Sequence, residues 1–333
     1  MCWTAHSRCD DLAPTDRDRL IGGRNRGKGG PVKIPPPVER QVMKADRFDA
    51  RAVYQKDLFR EKRVLITGGG SGIGRLVADG FAQLGANLVL AARKLDRLES
   101  ARDELLGDYG IQVTCLQCDI ADPKQVQQMV AGAFAAGEVH VLVNNAGANS
   151  LRPTEALTPV RWKAIIDTVL SGTYYVTREV CRRWIRTGYA GRVINMASTT
   201  GWTGSPYMAP SGAAKAGIIN LGRTLGSEWG RHGIRINDVS PGPVFTKGSF
   251  ERLWLNEDVI DLIQKRVPLG RFPGPEDIVG SVLFLASPAA DFITGASIAV
   301  DGGESLKQSF GELVEKFRPR RATQDETESR PDL

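Results

Sequence analysis

The chain has 333 residues, of which 41% are hydrophobic and 25% are charged, and its formal net charge is +6. This is ordinary globular composition, and no clustered basic face with interleaved aromatics suggests a nucleic-acid-binding protein. No apolar run is long enough to span a membrane, and the start has no apolar signal core. We therefore expect no nucleic-acid or membrane partner and a cytoplasmic location, with an organellar location left open. Five unevenly spaced cysteines and three histidines favour buried thiols over a metal site.

Residues 1–57 are predicted to form a disordered or extended arm. Proline, glycine and charged residues crowd positions 1–42 without an apolar period, so either this arm is genuine or the protein starts at Met43. At the other end, residues 311–333 are polar and charged, which predicts a flexible tail. The two segments flank a predicted folded domain at residues 58–310.

The first strong pattern is the stretch 67–74, TGGGSGIG, which follows the apolar run RVLI and precedes a helical pattern at 75–84. A strand, a glycine-rich turn and a helix in this order are typical of a dinucleotide site. The glycines allow a tight turn and close approach to a pyrophosphate, whose charge is stabilised at the helix N-terminus. The predicted cofactor contacts in this stretch are Gly68, Ser71, Gly72, Ile73 and Gly74.

From residue 63 onward, strand-like runs alternate with helical patterns. The runs begin at residues 63, 87, 113, 140, 191, 235 and 297, and long helical patterns such as 123–135 and 158–186 lie between them. This alternation indicates βαβ units, which give an α/β fold with a parallel sheet, helices on both faces and right-handed crossovers.

Ligands of such sheets bind at the carboxyl ends of the strands. After the second run the chain offers Arg93 and Lys94 and no carboxylate. Because cations suit a 2′-phosphate, we predict NADP(H) as the cofactor. Asp119, followed by Ile120, ends the third run, where an acid can accept from the adenine amino group. The small residues that end the fourth run, and that let a ribose approach, are Asn145, Ala146 and Gly147.

In their order and spacing, the segments TGGGSGIG, CDI, NNAG, SGAAKAG, SPGPV and VDGG resemble the short-chain dehydrogenase/reductase family, over roughly residues 58–306. The resemblance implies a single Rossmann-like domain with a seven-stranded parallel sheet, assembled into homo-tetramers or dimers. It also implies that Lys215 binds the nicotinamide ribose. The segment that it assigns to the nicotinamide carboxamide contains Pro241, Gly242, Val244 and Thr246.

Two departures from the family pattern bear on the chemistry. Ser211 stands four residues before Lys215, where the family has its tyrosine, and Val169 replaces the usual assisting Asn. A serine hydroxyl, with a pKa far above about 10, is a poor substitute for a phenol that moves a hydroxyl proton. Ser198 or Thr199 retains a hydroxyl near the family's serine.

Both departures resemble the branch of the 2,4-dienoyl-CoA and trans-2-enoyl-CoA reductases. Reducing a C=C bond conjugated to a thioester needs no proton transfer at oxygen, but it needs donors aimed at the thioester oxygen, where enolate charge collects. The resemblance makes Asn149 the first candidate donor and Ser211 the second, although Ser211 also fits a helix N-cap. Tyr207, in the same loop, is a further catalytic candidate that equally fits a packing tyrosine.

The sequence therefore predicts NADPH-dependent reduction of a 2-enoyl-CoA or 2,4-dienoyl-CoA, with the acyl-CoA as small-molecule partner. Two alternatives stay open: a carbonyl reductase or alcohol dehydrogenase that uses an unusual acid, and a catalytically silent NADP-binding module. The resemblance also implies a substrate lid at residues 247–266, in which Lys247 and Arg252 could meet CoA phosphates.

Overall fold

Seven strands form the centre of the part of the chain that the computed structural model describes, residues 49–244 and 257–306. The strands are β1 (Arg63–Thr67), β2 (Asn87–Ala92), β3 (Val113–Gln117), β4 (Val141–Asn144), β5 (Arg192–Met196), β6 (Arg235–Pro241) and β7 (Ser297–Val300). All pairings are parallel, and the order across the sheet is β3-β2-β1-β4-β5-β6-β7. The predicted seven-stranded parallel sheet is confirmed.

Helices cover both faces of this sheet, as predicted. They are α1 (Gly72–Gln83), α2 (Leu95–Tyr109), α3 (Pro123–Ala135), α4 (Pro159–Ile166), α5 (Gly172–Thr187), α6 (Thr200–Thr203), α7 (Ala209–Trp229), α8 (Glu257–Arg266) and α9 (Pro275–Ala286). A π-helical turn, Asp167–Ser171, joins α4 to α5. Short 3₁₀ turns lie at Ala50–Ala52, Thr154–Ala156, Gly230–His232, Pro288–Ala290 and Glu304–Leu306. Within the described ranges, no helix is both long and apolar enough to cross a membrane.

The core consists of two apolar layers, one on each face of the sheet. Helices α1, α2 and α9 pack on one face, where Phe81 and Leu98 are fully buried, and α3, α5 and α7 pack on the other, where Trp184 is fully buried. Successive strand residues alternate between the layers, so that Leu142 belongs to one and Val143 to the other. Because both faces are covered, most strand residues are apolar, and buried polar side chains such as those of Asn144, Asn195 and Asp238 are exceptions.

The strand order reverses at β1, which lies between β2 and β4. The chain builds β1, β2 and β3 toward one edge and then returns to place β4 on the other side of β1. At such a reversal the connections leave β1 and β4 in opposite directions, and a crevice opens outside the carboxyl ends of the two strands. The glycine-rich stretch and the NNAG segment both lie at this crevice.

The predicted arm at residues 1–57 extends too far toward the domain, because residues 49–57 pack against the helices. Ala50 is fully buried and its N–H donates to Gln83 Oε1 at 2.7 Å, while the Tyr54 hydroxyl donates to the Gly280 carbonyl at 2.6 Å. A short polar segment of sequence gives no sign that single residues in it will bond to α1 and α9, which is why this docking was not predicted. The rest of the predicted arm, residues 1–48, and the predicted tail, 311–333, lie outside the described residues.

We expect Tyr54→Phe to lower the free energy of unfolding by about 1 kcal/mol, because the change removes one hydrogen bond and little apolar area. Chemical denaturation of the purified protein measures this difference. Tyr174→Phe is the matched control, since that ring is 40% exposed and its loss of a hydroxyl should leave stability unchanged. An unchanged denaturation midpoint for Tyr54→Phe would show that the bond from Tyr54 to Gly280 does not stabilise the domain.

Candidate active site

The glycine-rich stretch forms a cradle between β1 and α1. Gly68 and Gly72 have φ angles of 70° and 56°, in the left-handed region that favours glycine. At buried Gly74 a side-chain carbon would lie 2.3 Å from the Gly68 carbonyl oxygen, so only glycine lets the chain close so tightly. The side chain of exposed Ser71, the N-cap residue of α1, makes no capping hydrogen bond. The first-turn amides of α1, including that of half-buried Ile73, are thus available to an anion.

Hydrogen bonds join this cradle to the end of β4. The buried hydroxyl oxygen of Thr67 accepts from the backbone N–H groups of Asn145 and Ala146, at 3.0 and 3.1 Å. In return, Asn145 Nδ2 donates to the Thr67 carbonyl oxygen at 3.0 Å and lies 3.4 Å from that of Gly68. Asn145 is predicted above as a cofactor contact, yet its amide group holds the glycine cradle in shape. Sequence reasoning missed Thr67, whose only signal is its position directly before the glycines.

Three exposed cations lie beside the cradle, at the start of α2. Arg93 and Lys94 are exposed, and the Arg93 carbonyl accepts from Gln117 Nε2 at 3.0 Å. A side-chain carbon at Gly70 would lie 3.2 Å from the Arg97 carbonyl oxygen, so the cradle touches the first turn of α2. Arg97 is a third exposed cation, which sequence reasoning missed. Within the described residues, none of the three cations forms an ion pair.

The third strand ends in a capped turn. Asp119 Oδ1 accepts from the Ala121 N–H at 3.0 Å, and the Asp119 N–H donates to Gln125 Oε1 at 2.9 Å. The half-buried carboxyl group keeps its second oxygen for a ligand, whereas the Ile120 side chain is buried in the core between the sheet and the helices. Ile120 can therefore meet a cofactor only through its backbone.

Beyond β4 the chain leaves the core. Gly147 and Asn149 are exposed, and Asn149 Oδ1 accepts from the Ser150 N–H at 2.8 Å. This bond uses the oxygen of the amide and leaves its N–H donors to reach a substrate. The loop is tied to the one before α7, because the Arg152 N–H donates to the Tyr207 carbonyl at 2.9 Å. Tyr207 has a φ angle of 65°, uncommon for a residue with a side chain, and it is 55% exposed.

Lys215 is a half-buried residue that brings a positive charge to the site. From α7 its ammonium group reaches the end of β5 and donates to the Met196 carbonyl oxygen. Burial lowers the pKa of Lys215 to about 8, and the negative charge of Asp238 acts in the opposite direction. A cation with this pKa stays protonated below about pH 8 and becomes neutral above it.

Ser211 lies one turn before Lys215 on α7, and side chains four residues apart share a helix face. It is 5% exposed. The N-cap residue of α7 is Met208, so the alternative interpretation of Ser211 as the helix cap is wrong. Val169, in the π-helical turn, packs against Ala214 in a small apolar cluster, which places an inert side chain at the position of the family's Asn.

Further hydroxyl groups lie at the end of β5, where α6 packs against α7. Thr200 Oγ1 donates to Ser198 Oγ at 3.0 Å, and both residues are half-buried. Thr199 is buried and its N–H donates to the Pro241 carbonyl at 3.1 Å. Of the two hydroxyl residues predicted at this position, Ser198 is the accessible one, and Thr200 is its hydrogen-bonded neighbour.

The predicted carboxamide segment begins at the carboxyl end of β6. Pro241 is buried there, the Gly242 N–H donates to the Val300 carbonyl at 3.1 Å, and Val244 is half-buried against the core. This end of β6 is therefore fixed beside β7. The predicted contacts Thr246, Lys247 and Arg252 lie outside the described residues.

Comparison with known proteins finds close relatives of two kinds. A family profile described as Enoyl-(Acyl carrier protein) reductase matches residues 68–305. A probable 2,4-dienoyl-CoA reductase of Bacillus subtilis is 39% identical over 248 residues, which cover 74% of this chain and 97% of the relative. A gluconate 5-dehydrogenase of Gluconobacter oxydans is 34% identical over 242 residues, covering 72% of this chain and 93% of the relative.

Solved structures agree with the fold described above. A short chain dehydrogenase from Bacillus anthracis superposes with a TM-score of 0.68 at 36% identity, covering 74% of this chain and 98% of that one. A gluconate 5-dehydrogenase from Burkholderia cenocepacia, in complex with NADP and tartrate, superposes with a TM-score of 0.71 at 31% identity, covering 76% and 99%.

We expect Thr67→Val to destabilise the protein by about 2 kcal/mol or more, because two backbone N–H groups lose their acceptor in a buried place. The free energy of unfolding from chemical denaturation measures the loss. Thr67→Ser keeps the oxygen and removes one methyl group, so it should retain most of the stability. If the two variants were equally stable, the bonds from Thr67 would not hold the cradle.

Proposed function

This chain belongs to the short-chain dehydrogenase/reductase family of oxidoreductases, and on that premise we propose that it reduces, with NADPH, a C=C bond conjugated to an acyl-CoA thioester. The observation that carries the proposal is the buried hydroxyl of Ser211, which α7 presents one turn before Lys215. A ketone reductase must deliver a proton to oxygen, and a serine hydroxyl is far too weak an acid to do so near neutral pH. A reduction in which the hydride and the proton both end on carbon avoids this requirement.

The described residues fit a nicotinamide dinucleotide. The cradle excludes any side chain at Gly74, and the first-turn amides of α1 face outward from it, as a pyrophosphate requires. The exposed Arg93, Lys94 and Arg97 favour a cofactor with a 2′-phosphate over one without. When bound, such a cofactor supplies the hydride.

The chain's own residues then have to stabilise the negative charge that develops on the thioester oxygen. Ser211 and Ser198 offer hydroxyl donors near Lys215, and Asn149 offers amide donors from the loop after β4. Loss of one well-placed donor of this kind costs about 100-fold or more in rate. The Lys215 ammonium group adds a positive charge at the end of β5, in surroundings that screen it little.

The names of the relatives support two different classes of substrate. The Bacillus subtilis protein is named as a probable 2,4-dienoyl-CoA reductase, which supports the acyl-CoA substrate. The Gluconobacter oxydans relative is named as a gluconate dehydrogenase, and this favours a second candidate function, oxidoreduction of an alcohol or ketone. In that reaction the Ser198–Thr200 hydroxyl pair would have to replace the missing phenol. A catalytically silent module fits less well, because the cradle and Lys215 are both intact.

Three further expectations stay proposals: a catalytic role for Tyr207, which rests on its place in the loop before α7, homo-oligomeric assembly as dimer or tetramer, which rests on the family resemblance, and a cytoplasmic location, which rests on the sequence near the start of the chain.

We expect NADPH oxidation with a trans-2-enoyl-CoA or a 2,4-dienoyl-CoA and none with a 3-oxoacyl-CoA of equal chain length. Absorbance at the nicotinamide band, followed with all three substrates, measures this. A simple ketone with NADPH, and gluconate with NADP+ in the oxidative direction, serve as probes for the second candidate. Turnover confined to the oxo, ketone or gluconate substrates would overturn the proposal, and silence with tight NADPH binding would favour the non-catalytic module.

We expect Arg93→Asp to lower the preference for NADPH over NADH by about tenfold or more. A charge-assisted hydrogen bond is worth about 1.5–3 kcal/mol, and 1.4 kcal/mol corresponds to a tenfold change in affinity. Fluorescence titration with each nucleotide gives the two dissociation constants. Arg231→Asp is the control, because that exposed arginine precedes β6, which lies four strands away from β2 in the sheet. An unchanged ratio for Arg93→Asp would remove Arg93 from the 2′-phosphate site.

A further inference from the structure

We propose that Asp238 is the buried counter-charge that keeps the Lys215 ammonium group protonated, and that it is thereby a positioning residue of the active site. Its importance for turnover rests on the function proposed above, but the pairing itself is a property of the protein alone. Asp238 lies on β6, is 1% exposed, and belongs to none of the motifs that the sequence identifies.

Asp238 ends a row of polar side chains inside the sheet. Asn144, Asn195 and Asp238 are register partners on β4, β5 and β6, so their side chains point to the same face. Asn144 Nδ2 donates to Thr177 Oγ1 on α5 at 2.8 Å and to Asn195 Oδ1 at 2.9 Å. Asn195 Nδ2 then donates to Asp238 Oδ1 at 2.9 Å. The row thus directs an N–H donor at a carboxyl group that is closed off from water.

The same carboxyl group lies against helix α7, which carries Lys215. A side-chain carbon at Gly222 would lie 2.9 and 3.0 Å from the two oxygens of Asp238, so the helix backbone approaches the carboxyl group as closely as glycine allows. Gly222 is seven residues after Lys215, which is close to two helical turns, so both residues face the sheet. Lys215 bonds to the carbonyl of Met196, the residue after Asn195. The lysine and the aspartate therefore meet adjacent positions of β5 from the same side.

The bonding of the carboxyl group is incomplete. Asp238 Oδ2 is buried and, within the described residues, has no hydrogen-bond partner. A buried carboxylate with one satisfied oxygen is costly unless a positive charge compensates it. Burial raises the pKa of Asp238 to about 7, while the bond from Asn195 and the charges of Arg223 and Lys215 act in the opposite direction. Within the part of the chain that the structure describes, the charge of Asp238 opposes the effect of burial on the pKa of Lys215.

Other charged residues lie near this part of the sheet. Arg223, the neighbour of Gly222, also lowers the pKa of Asp238, but it is exposed, so added salt should screen its effect more than that of Lys215. Arg192 and Arg235, at the amino ends of β5 and β6, are both paired with Asp291. The further charges on packed helices are engaged as well or lie on the opposite face of the sheet. Examples are Arg178 and Arg182 of α5, which both pair with Glu179, and Asp277 of α9, which pairs with Arg271.

The consequence is a narrow interval of pH in which both groups are charged. Above about pH 7 Asp238 is ionised, and up to about pH 8 Lys215 is still protonated. If Asp238 were neutral at every pH, burial would act on Lys215 without opposition, and the lysine would lose its proton at lower pH. The cation that should hold the nicotinamide ribose would then be absent in part of the neutral range.

Asp238→Asn tests the pairing, because it keeps an oxygen for Asn195 and removes only the charge. We expect the titration midpoint of Lys215 to fall by about one pH unit, the effect of one charge about 10 Å away at an effective dielectric constant of about 20. The midpoint is measured by NMR from the ¹³Cε shift of Lys215 in protein with labelled lysines, without any nucleotide. The resonance is assigned by its loss in Lys215→Met.

Ser240→Ala is the matched control, since Ser240 is a fully buried polar residue two positions further along the same strand, and its loss should leave the midpoint unchanged. The coupling is reciprocal, so Lys215→Met should raise the titration midpoint of the Asp238 ¹³Cγ resonance. This second measurement applies even if Asp238→Asn fails to fold. An unchanged Lys215 midpoint in Asp238→Asn, or an unchanged Asp238 midpoint in Lys215→Met, would overturn the proposal.

The functional readout is NADPH affinity against pH. In the unaltered protein we expect affinity to fall above about pH 8, and in Asp238→Asn above about pH 7, with Ser240→Ala behaving like the unaltered protein. If the NMR midpoints shift and no acyl-CoA is reduced, the pairing stands and the proposed substrate fails. If acyl-CoA is reduced and the midpoints do not move, the proposed substrate stands and the pairing of Asp238 with Lys215 fails.

Discussion

The contact between helix α7 and strands β5 and β6 is the constraint on which the candidate site depends. Where Gly222 faces the Asp238 carboxyl group, the helix lies so close to the sheet that a side chain on residue 222 would collide with the carboxyl oxygens. Two helical turns earlier, the Lys215 ammonium group donates to the Met196 carbonyl. A wider separation would let water reach both groups and return their pKa values toward the ordinary range. Close packing of the helix is therefore also what sets the charge state of the site.

The two ends of the site, the glycine cradle and Lys215, differ in how they present positive charge. At the cradle, the protein offers backbone N–H groups and exposed cations, which suit a ligand that brings its own negative charge. Lys215 is half-buried and its ammonium group is partly desolvated, so that neighbouring dipoles and charges act on it more strongly than in water. Thr67 and Asn145 connect the cradle to β4, and the parallel register carries that connection across to β5 and β6. The site is thus built along the carboxyl ends of neighbouring strands of one sheet.

Much of the fold could be predicted because the local patterns and the global architecture agree. The seven strand-like runs match the strands to within one residue at their starts, since each run is apolar on both faces and is bounded by polar or glycine residues. The docking of residues 49–57 could not be predicted, because it rests on single bonds from Ala50 and Tyr54 to distant helices. The extent of α7 before Ser211 was also beyond local reasoning, which is why the helix-cap interpretation failed.

By itself, the sequence determined the α/β class, the place of the glycine cradle, the two cations after β2, and the replacement of tyrosine by Ser211 in front of Lys215, because each of these is a matter of residue type at a fixed spacing. Only the tertiary structure decided what those residues touch. It showed that Asn145 supports the cradle, that Arg97 lies beside it, and that Val169 is part of the core. It also brought Asp238 from the middle of an ordinary strand to the helix that carries Lys215. Neighbours across a parallel sheet come from strands far apart in the chain, and burial depends on everything packed around a side chain, so neither can be deduced from local sequence.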